Sequence, residues 1–146
     1  MNHTTLRYHI VLITKGRHPW IKGELERALH TELMHCVNQL GGHCYAINGI
    51  VDHVHLLVSL PPNIALSQAI QKLKRSSARC LNRQALSEVP FKWQPGYFAS
   101  TVDTRDVTAL MSYIRHQKEH HARNTTRKHR EAPTSSHQNP EQSSIV

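Results

Sequence analysis

Residues Ile50–Leu60 read I-V-D-H-V-H-L-L-V-S-L, and their apolar side chains recur at every second position. Val54, Leu56, Val58 and Leu60 alternate with His53, His55, Leu57 and Ser59. A period of two is that of a β-strand, whose successive side chains point to opposite faces. His53 and His55 therefore share a face, roughly 6.5–7 Å apart along the strand at about 3.3 Å per residue. Two imidazoles aimed the same way can grip one metal ion or one phosphate.

The neighbouring segments give this strand its setting. Cys44–Val51 is also strand-like, and the link through Asp52 is too short for a crossover, so the two form an antiparallel hairpin. Pro61-Pro62 stops the second strand. Upstream, Leu6–Thr14 alternates as a first strand, and K-G-R-H-P leaves Lys15 and Arg17 exposed in a loop. Lys22–Leu40 carries Leu25, Leu29, Leu33, Cys36, Val37 and Leu40 at helical steps and ends at Gly41-Gly42. Downstream, Leu66 to about Gln84 is a second helix with a stripe of Leu66, Ile70, Leu73, Ser77, Cys80 and Leu81. Tyr97–Val102 is a fourth strand. Asp103 is an N-cap and Asp106 lies in the acidic first turn of a third helix, Thr104 to about Arg123. The order strand–helix–strand–strand–helix–strand predicts an α+β, ferredoxin-like (split βαβ) fold. It has a four-stranded antiparallel sheet, two helices on one face and an added C-terminal helix.

The chain's 146 residues suit one folded unit, expected over residues 1–123. From Asn124 to Val146 the composition turns to Thr, Ser, Gln, Asn, Pro and charge, a tail expected to be disordered. Lys and Arg number 18 against 10 acidic residues, a net charge of +8. That excess favours a polyanion, with nucleic acid first and a membrane surface second. Lys72, Arg75, Arg79 and Arg83 run along one face of the second helix with Lys74 nearby, and no acidic residue interrupts them. A solvated face usually mixes signs, so this stripe is expected to contact phosphates. Three scattered cysteines without a C-x-x-C motif suggest neither a disulfide framework nor a zinc knuckle. With no signal peptide and no apolar run of about 18 residues, the expected setting is cytoplasmic and nucleoid-associated.

The third helix carries the remaining chemistry. Val107, Leu110, Met111 and Ile114 make its apolar stripe, and Gln117 falls nearly in line with Leu110. A buried amide needs partners, and an ion held by His53 and His55 would supply one through the Gln117 oxygen. Two imidazoles and an amide oxygen leave positions open and suit Mg²⁺ or Mn²⁺ once phosphate oxygens complete the sphere. Tyr113, one turn before Gln117, is a nucleophile if nearby positive charge favours its phenolate. Each residue also has an ordinary reading: a packed strand histidine, a packed tyrosine, a glutamine reaching solvent. His116, His120 and His121 form another cluster, with His116 and His120 at zinc-like spacing but no Cys or carboxylate joining them as a ligand.

Taken as ordered blocks, these residues resemble the single-tyrosine HUH transposases, small insertion-sequence transposases and REP-associated tyrosine transposases. The blocks are Y-H-I-V-L-I-T-K-G-R from Tyr8, G-I-V-D-H-V-H-L-L-V-S-L-P-P from Gly49, L-S-Q-A-I-Q-K-L-K-R-S-S from Leu66, W-Q-P-G-Y-F from Trp93 and S-Y-I-R-H-Q-K-E-H-H from Ser112. The resemblance implies that His53, His55 and Gln117 bind a divalent metal and that Tyr113 attacks DNA. It implies cleavage of single-stranded DNA at hairpins of palindromic repeats, through a 5′-phosphotyrosine and a free 3′-OH, with rejoining by the reverse attack. It also implies either a monomer or a homodimer whose tyrosine serves its partner's site. Val51 stands where the family often has Pro, a change expected to affect loop shape. Two rival readings stand beside it. One is a non-catalytic ferredoxin-like nucleic-acid-binding module, which would stack bases on sheet aromatics. The other is a replication-initiation or relaxase-type HUH nuclease.

Overall fold

The computed structural model describes residues 2–124 and 126–131. Strands β1 (Arg7–Ile13), β2 (His43–Ile50), β3 (His53–Ser59) and β4 (Phe98–Thr101) form one sheet in the order β2-β3-β1-β4. Every pairing is antiparallel. Helices α1 (Gly23–Gln39) and α2 (Leu66–Arg83) connect the strands in the ferredoxin-like manner. The expected α+β architecture is the one observed.

Alternation divides the sheet between two layers. Ile10 and Leu12 of β1 join Val54, Leu56 and Val58 of β3 in a core completed by Leu25, Leu29 and Leu33 of α1 and Ile70 and Leu73 of α2. The opposite face buries Ala46 and Leu57 against Leu110, Tyr113 and Ile114 of the third helix. All of β3 from His53 to Val58 is buried because each face has its own cover.

The hairpin is pinned at Gly49, which pairs with Val54. A Cβ there would lie 2.1 Å from the His53 carbonyl oxygen and 2.8 Å from Val54 Cα. Both are backbone atoms, so no flexible group can yield. Gly49→Ala is expected to cost more than about 3 kcal/mol, read as a lower urea midpoint. An unchanged midpoint would mean that the hairpin can open at this point without penalty.

The third helix differs from expectation. It begins with a 3-10 turn at Thr104–Asp106, capped by Asp103 Oδ1 accepting from Arg105 N at 3.0 Å. It then breaks into α3 (Val107–Arg115) and α4 (Gln117–Ala122) at His116, with φ −102° and ψ 23°. The cause is tertiary. Asn48 Nδ2 of β2 donates to Arg115 O at 2.9 Å, taking a carbonyl that a continuous helix would use internally. Lys118 Nζ fixes the next turn, reaching Asn48 Oδ1 at 2.8 Å and Glu26 at 2.9 Å. Periodicity within residues 104–123 cannot report a side chain arriving from another strand.

Part of the stretch read as tail is described. Lys128–Arg130 forms a 3-10 turn and leads into Glu131. Residues 132–146 of the expected tail lie outside the described residues.

Candidate active site

Register places His53 and His55 on the α3 side of the sheet, opposite Ile13 and Val11 of β1. Each imidazole is held from behind through Nδ1. His53 Nδ1 is 2.8 Å from Asp52 Oδ1, and Asp52 Oδ2 accepts from Arg17 Nη1 at 3.5 Å. Arg17 adopts a left-handed backbone (φ 53°), unusual for an L side chain, in the turn that brings its guanidinium to Asp52. His55 Nδ1 is 2.8 Å from His9 Nε2, with the two rings stacked 5.1 Å apart. With both Nδ1 atoms engaged, both Nε2 atoms face the α3 layer. Both are buried, and neither makes an aligned hydrogen bond.

Four more side chains close on this pair. Tyr113 of α3 is 3% exposed, and its ring centroid lies 6.2 Å from that of His55. Tyr113 Oη donates to Glu131 Oε1 at 2.9 Å and accepts from Arg127 N at 3.0 Å. Glu131 Oε2 lies 2.7 Å from His55 Nε2 and 3.7 Å from His53 Nε2. His121 of α4 places Nε2 3.1 Å from both Glu131 Oε1 and Gln117 Oε1. Gln117 is wholly buried, and its Nε2 has no partner among the described residues. Arg130 lies 5.2 Å over the Tyr113 ring, and His120 stacks on that ring at 4.6 Å.

Burial and charge set the protonation states. Burial drives His9 down to about 3, helped by repulsion from His55, and burial likewise lowers His55. Both imidazoles are therefore neutral near pH 7, the form in which a ring nitrogen can donate to an ion. Burial works to raise Glu131, but the close approach of the His55 ring, with His53 and Tyr113 adding to it, holds it at about 2. The Tyr113 phenol is raised, first by burial and then by Glu131, against the lowering effect of the Arg127 N–H.

A stability test follows from His9. Its folded pKa of about 3 lies below the ordinary histidine value of 6.5, so the unfolded chain binds the proton more readily. Stability is complete above 6.5 and is lost as pH falls toward about 3, at up to about 1.4 kcal/mol per pH unit from this one group. Urea unfolding near pH 7 and near pH 5 should show the decline, and His9→Gln should flatten it. Equal slopes in the two proteins would remove His9 as the source.

Ligand atoms of His53, His55, His121 and Glu131 all lie within 4.8 Å of one another. Two orphaned, buried Nε2 atoms beside a carboxylate are a donor set that fits a divalent ion. His53 and His55 would hold it, with oxygen or nitrogen from Gln117, His121 or Glu131 within reach. Such an ion would supply a Lewis acid and a counter-charge for a phosphate.

Among the residues singled out from the sequence, His53, His55, Tyr113 and Gln117 are brought together. Gln117 turns its oxygen to His121, which sequence reading had grouped with His116 and His120. Here His121 joins the pair on β3, His120 lies on Tyr113 and His116 is exposed. Lys15 is exposed at the same end of the sheet. Lys72, Arg75, Arg79 and Arg83 line a groove with Cys36 and Gln39 of α1 and Leu40 just beyond it, on the helical layer across the sheet from Tyr113. Lys74 is half-buried, donating to Gln94 O at 2.8 Å and to Gly96 O, and burial lowers it to about 8. It clamps the loop before β4. The roles of His9, Asp52 and Glu131 went unread. The first had a signal: His9 shares the parity of Val11 and Ile13, the residues paired with His55 and His53.

On a chain of net charge +8, one face of the sheet brings two buried imidazoles beside a buried tyrosine. The family model described as "Transposase IS200 like" matches residues 2–117. The chain belongs to this family of IS200-like DNA transposases. It is 29% identical over 119 residues to the transposase for insertion sequence element IS200 of Salmonella typhimurium, covering 77% of each chain. It is 31% identical over 124 residues to the ISDra2 transposase TnpA of Deinococcus radiodurans, covering 78% of this chain and 86% of that one. A crystal structure described as that of a transposase from Deinococcus radiodurans superposes with a TM-score of 0.64 at 27% identity, over 80% of this chain and 93% of that one. A REP-associated tyrosine transposase bound to a REP hairpin gives a TM-score of 0.62 at 13% identity, over 83% and 73%, and so shares the fold. No described helix is long and apolar enough to cross a membrane.

Proposed function

We propose that the protein cleaves and rejoins single-stranded DNA through a covalent link to Tyr113, using a divalent ion held by His53 and His55. One carboxylate carries the reading: Glu131 touches Tyr113 Oη at 2.9 Å and His55 Nε2 at 2.7 Å. A DNA phosphate in that position would have one oxygen at the imidazoles while its phosphorus faced the phenol. Two imidazoles, the Gln117 oxygen and phosphate oxygens make a set that accepts Mg²⁺ or Mn²⁺.

Tyr113 Oη attacks phosphorus and loses its proton. The new bond is a 5′-phosphotyrosine, the broken bond is P–O3′, and the leaving oxygen takes up a proton as a 3′-OH. Attack by a 3′-OH on the phosphotyrosine reverses both changes and joins strands, so the bond energy is kept without a nucleotide cofactor. Arg127 N and the Arg130 guanidinium favour charge on the phenol oxygen during attack.

The substrate we infer is a strand bearing a hairpin or palindromic repeat. Lys15 would meet backbone near the site, with Arg17 acting mainly through Asp52. Lys72, Arg75, Arg79 and Arg83 would hold a more distant part of the DNA on the helical face. The tyrosine and histidines of one chain lie side by side, which supports action by a single subunit. A homodimer exchanging tyrosines is the alternative, and mixed inactive subunits that restore one another's activity would identify it. The main test incubates protein, Mn²⁺ and a hairpin-bearing single strand, then looks for a covalent adduct on a denaturing gel. Salt-sensitive binding with no adduct and no metal effect would support a non-catalytic binding module instead.

A further inference from the structure

Glu131 lies beyond residues 2–117, the part of the chain the family model matches, as does His121. Both nevertheless reach the ends of the imidazole pair. Resting on the metal-site reading above, we propose that His53, His55, His121 and Glu131 form a closed four-ligand site for a borderline divalent transition ion such as Co²⁺ or Zn²⁺ in the DNA-free protein, with Glu131 in the position a substrate phosphate takes.

The donor chemistry points to that class of ion. Three imidazole nitrogens and one carboxylate oxygen are a tetrahedral set, whereas Mg²⁺ favours six oxygens. Tetrahedral bonds of about 2.0–2.1 Å put ligand atoms about 3.3 Å apart. The observed separations of 2.7 Å and 3.7 Å from Glu131 Oε2 to the two Nε2 atoms bracket that value. The ligand nitrogen of His121, within 4.8 Å of the other three ligand atoms, supplies the remaining corner. His121 Nε2 rests 3.1 Å from Gln117 Oε1, one helical turn away, so His121 and Gln117 compete for a single coordination position.

Position in the fold makes Glu131 the removable ligand. His53 and His55 are locked into β3 by ladders on both sides. Glu131 follows a single 3-10 turn outside the sheet, and its carboxylate can leave without breaking a strand pair. While it stays, the segment places three contacts on Tyr113: the Arg127 N–H, the Arg130 guanidinium and the Glu131 carboxylate. An incoming phosphate must replace the last of these before it can reach the phenol.

Co²⁺ tests the proposal because its visible absorption is strong when four-coordinate and weak when six-coordinate. Metal-stripped full-length protein is titrated with Co²⁺ without DNA. Wild type should show the strong band. Glu131→Ala and His121→Ala should lose it and bind Co²⁺ at least about tenfold more weakly, with melting curves confirming that both remain folded. Glu131→Ala should also form the Mn²⁺-dependent DNA adduct faster than wild type. Equal affinity and an equal band in wild type and both variants would overturn the four-ligand site while leaving the histidine pair in place. A wild-type protein that bound no Co²⁺, and no Mn²⁺ by calorimetry, would overturn the metal reading as well.

Discussion

Tyr113→Phe is expected to abolish the covalent DNA adduct and reduce strand cleavage by at least about a thousandfold. The substitution removes one oxygen and leaves the ring. Leu110 and Ile114 keep their packing, and His120 keeps its stacking surface. The oxygen now joins Glu131 to Arg127 N, and both can turn to water because they lie in a segment outside the sheet. Stability should therefore change little while the chemistry vanishes. Adduct is scored on denaturing gels with labelled hairpin DNA, beside a urea melt. Undiminished adduct in the variant would reject Tyr113 as the nucleophile.

Second in size is the effect of His53→Ala. It should weaken Mn²⁺ binding by at least about a hundredfold, since even outer partners of a metal ligand cost 10–100-fold, and cleavage should fall to background. His53 is the cleaner choice of the pair. It begins β3, and Asp52 keeps the Arg17 contact after the ring is gone. Removing His55 would strand His9 in the interior without its partner at 2.8 Å. Calorimetry with Mn²⁺ separates loss of the ion from loss of DNA, which a filter-binding assay at low salt measures independently. Wild-type Mn²⁺ affinity in this variant would exclude His53 as a ligand.

How far such a site is legible in a sequence depends on which contacts are local. Alternation along Ile50–Leu60 was enough to put two imidazoles on one face, because parity within a strand is a local property. Helical spacing likewise gave the faces of α1 and α2 and the cap at Asp103. The break at His116 was out of reach, since its cause is Asn48, far away in the chain and on another strand. Gln117 stood out as an amide on an apolar stripe, but nothing local could show its oxygen turning to His121. Glu131 was hidden for a different reason. It sits in a run of polar residues with no periodicity, where composition argues for solvent and only the folded site gives the carboxylate a place. Lys74 lies beside a basic stripe in the sequence, and nothing local could show that its ammonium serves two loop carbonyls.

From His53 to Val58, every side chain of β3 has an appointment on one face or the other. If the hairpin zipped up one residue out of step, the imidazoles would be driven into the aliphatic layer under α1 and α2, and valines and leucines would line the reaction pocket. Such a mispaired protein could be neither partly active nor comfortably stable. Catalytic competence in this chain is thus a proofreading signal for strand alignment: any preparation that turns over DNA has, by that fact, threaded its central hairpin correctly.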